Sequence, residues 1–536
     1  MNREKTLPIR VLPYIVYTDL FKRQRFSMLS RLYSVTLEGI EGIVCEVEVD
    51  VARGGFEKPM IVGLPDPAVK ESVERVRSAV INSGYSYPDT KCLINLAPAD
   101  VKKAGPAFDL PIALGILQCE GAIQSDDLKK YLIVGELALD GRVRPVNGVL
   151  SMAMTAAANG FSSIIVPIEN AAEASVVDGI EVFGAGSLAQ AAGFLSNQLP
   201  IEATVTDVDD IFNVSSAYDI DFVDVKGQES VKRALAIAAA GGHNVMMIGP
   251  PGAGKTMLAK RMATILPPLT LGESLETTRI YSVVGLLKKG AALIAKRPVR
   301  MPHHSATGPS LIGGGSNPRP GELSLAHRGI LFLDEFAEFP RNVLEMIRQP
   351  LEDGYVTVSR AKGTISYPAE FMMIAAMNPC PCGRKYKDNG QCRCTPNQID
   401  KYLSRVSGPL TDRIDIHVEV HPLPFEAIAG KKQGASSKEM KELVLRARAV
   451  EAERFEGTKT LTNSRMNSRQ IRDFCDLSEQ CSLILRQAYN ELGLSARAHD
   501  KVIRISRTIA DMEGERDIQT HHVAEAIQYR KLDRRY

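Results

Sequence analysis

The sequence lacks tryptophan entirely, and it lacks an excess of charge of either sign. Its 65 Lys and Arg residues against 63 Asp and Glu residues give a net charge of +2, which excludes the global basic field of a small nucleic-acid-binding protein. Any site for a polyanion must therefore be local. Long apolar runs are also missing, since candidates such as LPIALGIL at 110–117 are too short to cross a bilayer. We expect no membrane span and no secretory signal, because the N-terminal VLPYIVY is broken by proline.

Cysteine is scarce and unevenly spread. Five of the nine cysteines are scattered, and the other four form two Cys-x-Cys pairs. These four are Cys380, Cys382, Cys392 and Cys394. The pattern differs from a secreted disulfide framework and predicts a reducing cytoplasm.

Four thiolates suffice for tetrahedral Zn²⁺, and the polar spacer 383–391 is long enough to bring both pairs together. Cys-x-Cys is less typical of zinc sites than Cys-x-x-Cys, so free structural thiols are the alternative. A filled zinc site here would be a structural clamp on the neighbouring loop, not a catalytic ion.

At 536 residues the chain is too long for one hydrophobic core, and its pattern predicts several domains. Residues 28–195 mix strands with helices, whereas the acidic, weakly periodic stretch 196–220 is typical of a linker. Residues 221–424 alternate strands with helices, which predicts an α/β core with a parallel sheet. Residues 425–536 predict a small helical domain.

A phosphate-binding loop is predicted where the strand VMMIGP runs into GPPGAGKT and a helix. The loop consists of Gly249, Pro250, Pro251, Gly252, Ala253, Gly254, Lys255 and Thr256. Its glycines allow backbone N–H groups to surround the phosphates of ATP, Lys255 reaches the β and γ oxygens, and the Thr256 hydroxyl can bind Mg²⁺. A chance glycine turn is the alternative, which the flanking strand and helix disfavour.

Two further strands end in groups that suit ATP hydrolysis. The apolar strand GILFL is followed by Asp334, a candidate Mg²⁺ ligand, and by Glu335, a candidate to polarise the attacking water. The strand FMMIAAM ends at Asn378, whose amide can sense the γ-phosphate and orient water. A plain turn-forming Asn before proline is the alternative for Asn378.

A local basic surface is predicted at residues 353–371, which alternate, turn at SRAKG and alternate again. This pattern predicts a β-hairpin with Arg360 and Lys362 at its tip, where they could follow DNA phosphates. The basic, glycine-rich stretches 296–304 and 313–320 could line the same path. An ordinary solvated hairpin is the alternative. The adjacent His303 and His304 project differently, which argues against a shared metal.

The segments GHNVMMIGPPGAGKT, SLAHRGILFLDEF, MNPCPCG and SGPLTDRIDIHVEV together resemble the ComM/YifB family of magnesium-chelatase-like AAA+ ATPases. The resemblance covers residues 28 to about 530 and implies an AAA+ P-loop αβα core, a C-terminal helical lid and a ring of copies, expected to be a hexamer, with ATP between neighbours. It also implies that Arg413 is an arginine finger and Arg497 a second sensor arginine. Residues 1–27 are then an N-terminal extension.

In the N-terminal domain, GELALDGRVRPVNGVL and KKAGPAFD resemble the central hairpin and the nucleophile loop of the Lon protease domain, which has a ribosomal S5-like fold. On that comparison, Ala107 stands at the position of the nucleophile and Leu150 at that of the lysine. Because neither side chain can form a Ser-Lys dyad, we expect no protease activity.

The resemblance favours a DNA motor that performs branch migration during homologous recombination or natural transformation. The alternatives are a chelatase-type ATPase that remodels a protein partner and a nucleotide-dependent regulator. ATP hydrolysis measured with and without branched DNA discriminates between these functions.

Overall fold

The computed structural model describes residues 29–52, 59–88, 91–125, 127–215, 218–315, 318–360, 363–385, 392–423 and 434–530. The predicted extension 1–27 lies outside these residues. The strands are β1 (Leu29–Glu38), β2 (Glu41–Ala52), β3 (Met60–Val62), β4 (Lys91–Ala97), β5 (Tyr131–Ile133), β6 (Glu136–Leu137), β7 (Val143–Arg144), β8 (Ser163–Pro167), β9 (Glu181–Ala185), β10 (Val245–Ile248), β11 (Val299–Arg300), β12 (Ile330–Leu333), β13 (Tyr355–Arg360), β14 (Gly363–Pro368), β15 (Met372–Met377) and β16 (Ile416–Glu419).

The α-helices of the described residues are α1 (Pro67–Asn82), α2 (Asp109–Cys119), α3 (Val149–Ala158), α4 (Ala171–Ala174), α5 (Leu188–Leu195), α6 (Val208–Ser215), α7 (Glu229–Gly241), α8 (Lys255–Ile265), α9 (Leu271–Val283), α10 (Gly308–Ile312), α11 (Glu322–Leu325), α12 (Arg341–Asp353), α13 (Pro396–Leu403), α14 (Gly408–Thr411), α15 (Ser437–Arg454), α16 (Ser468–Phe474), α17 (Glu479–Leu492), α18 (Ala496–Glu513) and α19 (Thr520–Gln528).

The described residues form two compact units. Within the described residues, the first unit comprises 29–34, 44–144 and 185–202, and the second comprises 35–43, 145–184 and 203–530. Residues 145–184 therefore belong with the second unit. A buried carboxylate helps to hold them there, because Glu173 accepts hydrogen bonds from the Leu150 backbone N–H and from the Ser282 hydroxyl on α9.

The first unit is built on strands in the order β3-β4-β2-β1-β5. Strands β2 and β4 are antiparallel, and alternate residues of β4 are buried, as its period-two pattern predicts. Helix α1 is capped by Asp66, whose carboxylate accepts from the Val69 N–H at 2.8 Å. Strands β6 and β7 form a hairpin across the turn at Asp140 and Gly141, with Leu137 opposite Val143.

The second unit contains a five-stranded parallel sheet in the order β11-β12-β15-β10-β16. Every residue of β10, β12 and β15 is buried, which matches continuous apolar strands covered by helices on both faces. This confirms the predicted α/β class. Strand β10 lies between β15 and β16. Because all five strands are parallel, the groups that follow β10, β12 and β15 emerge at the same edge of the sheet, the carboxyl edge, where the carboxyl ends of the strands meet.

The α-helices of the described residues 434–530 are α15 to α19, which confirms the predicted helical character of this region. The predicted linker 196–220 contains α6, a helix that the acidic composition did not predict. Its residues Val208 and Ile211 pack against a small apolar cluster that includes Leu150 and Val176. Tertiary packing therefore stabilises a segment with weak local preference for a helix.

Candidate nucleotide site

The predicted phosphate-binding loop joins the buried strand β10 to the first residue of α8. Gly252 and Gly254 have φ of +80° and +92°, with open space where a Cβ would stand, so only their backbone conformation requires glycine. Gly249 is constrained differently, because a Cβ there would lie 2.2 Å from the Val420 carbonyl oxygen. The loop precedes the N-terminus of α8, where N–H groups favour an anion.

Lys255 is buried at the base of this loop. Its Nζ donates to the carbonyl oxygens of Gly249 at 2.7 Å and Pro250 at 3.1 Å, and to Asn378 Oδ1 at 3.2 Å. Burial lowers the pKa of Lys255, and the Asp334 carboxylate opposes that shift. The structure therefore brings the predicted phosphate-binding amine and the predicted sensor amide into direct contact.

Thr256 and Asp334 form the second contact of the site. The Thr256 hydroxyl donates to Asp334 Oδ2 at 2.7 Å, although the two residues follow strands that are separated by β15. The other oxygen, Asp334 Oδ1, accepts from the Glu335 backbone N–H at 2.9 Å. A hydroxyl beside a carboxylate at the edge of the phosphate loop is a suitable pair of oxygen ligands for Mg²⁺.

Glu335 stands beside this pair in an unusual backbone conformation, with φ of +52°. Its Oε2 lies 2.9 Å from His304 Nδ1. The sequence does not predict this contact, because nothing in the local pattern of His304 indicates Glu335. A left-handed conformation at a non-glycine residue is concentrated at functional sites.

The cysteine cluster follows directly after Asn378, and the structure brings its four sulfur atoms together. The Sγ atoms of Cys380, Cys382 and Cys392 are separated by 3.5, 3.7 and 3.6 Å. Cys394 completes a group in which all four sulfurs lie within 4.8 Å of one another. Most of the spacer, residues 386–391, lies outside the described residues.

The turn within this cluster touches the phosphate loop, which is a second contact that sequence reasoning missed. Gly383 has φ of +72°, and a Cβ there would lie 2.5 Å from Pro251 Cδ. Its N–H donates to the Cys380 carbonyl at 2.9 Å, which closes the turn. The cysteine turn is therefore packed against the loop on one side and joined to Asn378 on the other.

The two predicted arginines, Arg413 and Arg497, lie away from the phosphate loop. Both line a cleft of about 630 Å³ together with Asn244, Phe371 and Asp415. The last three residues precede β10, β15 and β16, so the cleft occupies the amino edge of the parallel sheet. Lys255 and its partners occupy the carboxyl edge.

Each of the two arginines has its own surroundings in this cleft. Arg413 Nη2 lies 2.6 Å from Glu352 Oε1, and Nη1 donates to the Pro409 carbonyl at 2.6 Å. Arg497 is exposed near the start of α18.

The predicted hairpin is confirmed as the antiparallel pair β13 and β14, in register from Tyr355 opposite Pro368 to Arg360 opposite Gly363. Lys362 lies outside the described residues, as does the Arg360 side chain.

At the two positions compared with a protease dyad, Ala107 and Leu150 are both buried and apolar.

Three family models match the chain: residues 47–170 match subunit ChlI of Mg-chelatase, 221–428 match magnesium chelatase, subunit ChlI, and 434–530 match its C-terminal part. Together with the parallel α/β core and the phosphate loop, these matches define an AAA+-type ATPase of the magnesium-chelatase class.

Within that class, the chain belongs to the ComM/YifB family. It is 42% identical over 511 residues to competence protein ComM of Haemophilus influenzae, covering 94% of this chain and 98% of that protein. It is 42% identical over 509 residues to YifB of Escherichia coli strain K12, with the same coverage. The magnesium-chelatase 38 kDa subunit of Rhodobacter capsulatus is 25% identical over 218 residues, 37% of this chain and 59% of that subunit.

Among the described helices, none combines the length and the apolar character needed to cross a membrane.

Proposed function

We propose that this chain is an ATP-driven motor that acts on DNA as a ring of identical copies, expected to be a hexamer, in branch migration during homologous recombination and natural transformation. Lys255, Thr256, Asp334 and Asn378 support the ATPase part, because they converge on one sheet edge. In this proposal Thr256 and Asp334 bind Mg²⁺, and Glu335 accepts a proton from the attacking water. A motor that uses ATP on chromosomal DNA would act in the cytoplasm.

The observation that carries the ring is the placement of Arg413 and Arg497 at the edge opposite to Lys255. An arginine that stabilises the γ-phosphate must approach within hydrogen-bonding distance of it. Within one chain the sheet separates the two edges, whereas a second copy in head-to-tail contact can bring its amino edge to the carboxyl edge of the first. We therefore assign both arginines to the neighbour's ATP.

A mixing experiment tests this assignment. Lys255→Ala and Arg413→Ala chains should each hydrolyse ATP poorly alone, whereas rings co-assembled from both should recover about a quarter of the parent rate, the fraction of interfaces with both groups intact. The control is a mixture of Lys255→Ala and Asp334→Ala chains, whose defects share one edge and cannot complement. Equal rates in both mixtures would contradict action between copies.

The DNA part of the proposal is supported by the β13–β14 hairpin. Its Val356 and Val358 are buried, so the start of the hairpin is fixed on the core, and the sequence predicts Arg360 and Lys362 at its tip. The relative named as a competence protein is similar along nearly its whole length, whereas the chelatase subunit matches about a third of this chain. These observations favour DNA over a chelatase partner.

Replacing Arg360 and Lys362 by alanine should weaken binding to forked DNA, reduce the salt dependence of binding by about two counterions and leave basal ATP hydrolysis unchanged. The matched control is Lys129→Ala with Lys130→Ala, which removes the same charge from exposed residues of the first unit. Branched DNA should also stimulate ATP hydrolysis by the parent. Stimulation by a protein partner alone would favour a chelatase-type activity.

We extend the proposal to a structural Zn²⁺ ion at Cys380, Cys382, Cys392 and Cys394. A tetrahedral site with Zn–S bonds of about 2.3 Å has sulfur atoms about 3.8 Å apart, close to the separations of 3.5 to 3.7 Å found here. Backbone N–H groups of residues 384 and 385 also donate to the Cys380 sulfur, as in second shells that support thiolates. Elemental analysis should find one zinc per parent chain and none in Cys380→Ser with Cys392→Ser.

We propose that the N-terminal domain, which resembles Lon, has no peptidase activity, since Ala107 and Leu150 offer neither a nucleophile nor a base. Release of fluorescent peptides from labelled casein by the purified chain, abolished by replacing some other Ser or Lys, would overturn this assignment.

A further inference from the structure

The topology of the sheet brings His304 to the candidate catalytic carboxylate. Strand β11 runs parallel to β12, with Val299 opposite Ile330 and Arg300 opposite Leu331. The segments that leave their carboxyl ends therefore start side by side, one leading to His304 and the other to Glu335. The end of β11 is fixed, because Arg300 donates two hydrogen bonds, of 2.6 and 2.7 Å, to the Glu322 carboxylate on α11.

His304 Nδ1 lies 2.9 Å from Glu335 Oε2. Within the described part of the chain, no other side chain is paired with the Glu335 carboxylate, whose side chain is 56% exposed. The Glu335 backbone is itself fixed, with φ of +52° and its N–H bonded to Asp334 Oδ1. The contact with His304 is therefore what restricts the three side-chain torsions of Glu335.

The imidazole ring of His304 packs against the ring of His303. The rings of His303 and His304 have centroids 4.0 Å apart with a tilt of 35°. His303 Nδ1 lies 2.8 Å from the Ser305 hydroxyl and accepts from the Ser305 N–H at 3.3 Å. The pair of rings is thus anchored within the segment that also carries the basic stretch 296–304.

We propose that His304 is a positioning residue for Glu335 in ATP hydrolysis, an assignment that rests on the proposed ATPase function. Its Nδ1–H donates to Oε2 and leaves Oε1 free for the attacking water. The water oxygen bonds to the γ-phosphorus while the bond to the bridging oxygen breaks, ADP leaves with that electron pair, and the water proton passes to the Glu335 carboxylate. A base held in place acts more often in the productive geometry.

Three variants of His304 test the position of the donor. In His304→Asn, the amide nitrogen is separated from Cα by the same number of bonds as Nδ1, whereas in His304→Gln it is one bond further away. His304→Ala has no donor. We expect kcat to fall about tenfold in His304→Ala and His304→Gln, with KM for ATP within about twofold of the parent value. His304→Asn should recover kcat to within about threefold.

The matched control is His521→Ala, which removes a similar exposed His–Glu pair, 3.1 Å from Glu513 in the helical region, and should leave kcat unchanged. The inference is overturned if His304→Ala keeps or exceeds the parent kcat, or if Gln restores it as well as Asn does. Glu335→Gln separates this failure from that of the proposed function. An inactive Glu335→Gln beside a fully active His304→Ala refutes only the role of His304, whereas an active Glu335→Gln removes the assumed base.

Discussion

Gly383 offers a direct measure of whether the cysteine turn positions the phosphate loop. A Cβ added at residue 383 would lie 2.5 Å from Pro251 Cδ and 2.8 Å from its Cγ. Since carbon atoms in contact lie about 3.5 to 4.0 Å apart, the turn or the loop must move by about 1 Å. A displacement of that size can reduce catalysis by about a hundredfold. Gly383→Ala should therefore lower kcat between about tenfold and a hundredfold.

The substitution also forces alanine into the left-handed region, at a cost of about 1 kcal/mol that has nothing to do with the loop. Gly457→Ala isolates this cost, because Gly457 has the same φ of +72° and nothing within 4 Å of an added Cβ. ATP hydrolysis and thermal unfolding would be measured for both variants. If they lose similar stability and both keep the parent kcat, contact between the turn and the loop does not control the site.

Three further predictions concern stability. Burial raises the pKa of Glu451 to about 8 from a usual 4.5, so its contribution to stability is present below pH 4.5 and is lost as the pH rises through 8. The Tm of the parent should therefore fall between pH 5 and 8, and Glu451→Gln should flatten that fall. Curves of Tm against pH that run parallel for the parent and the variant would refute this. Burial alone would raise the pKa of Asp415, but Lys501 at 2.7 Å and His243 hold it below its usual value. Asp415→Asn should therefore lower the free energy of unfolding in urea by about 3 kcal/mol at pH 7 and less at pH 3, and an equal loss at both pH values would count against this pair. If the proposed Zn²⁺ ion is structural, a chelator should lower Tm in the parent but not in Cys380→Ser with Cys392→Ser, and unchanged Tm in both would contradict the proposal.

The strand–turn–helix geometry of the predicted phosphate loop could be predicted from local sequence because all its parts are contiguous. The strand β10, the glycines with positive φ and Lys255 at the first residue of α8 follow one another in the chain. The apolar runs β12 and β15 were equally readable, since strands buried on both faces are continuously hydrophobic. The contacts of Asp334 and Asn378 then follow from strand order, which a sequence alone does not supply.

Sequence reasoning failed where two segments meet only through that order. His304 follows the edge strand β11, and Glu335 follows its neighbour β12. The local sequence pattern around each residue gives no sign of the other. The sequence predicts Gly383 only as part of a spacer between thiols, although its contact with Pro251 explains why a side chain is excluded there. A glycine directly after a Cys-x-Cys pair and close to Asn378 was the available signal for that contact.

The two edges of the parallel sheet also constrain the symmetry of the proposed assembly. Lys255 stands at the carboxyl edge and Arg413 at the amino edge, so the proposed site, with Arg413 at the γ-phosphate, requires contact between unlike surfaces of two copies. A two-fold dimer with that interface on its axis pairs each surface with itself and cannot supply the arginine to the phosphate loop. A head-to-tail interface does supply it, and repeating that interface with closure generates a ring. The position of Arg413 therefore favours cyclic over two-fold assembly, and Lys255→Ala chains should complement Arg413→Ala chains only in assemblies built from this heterologous contact.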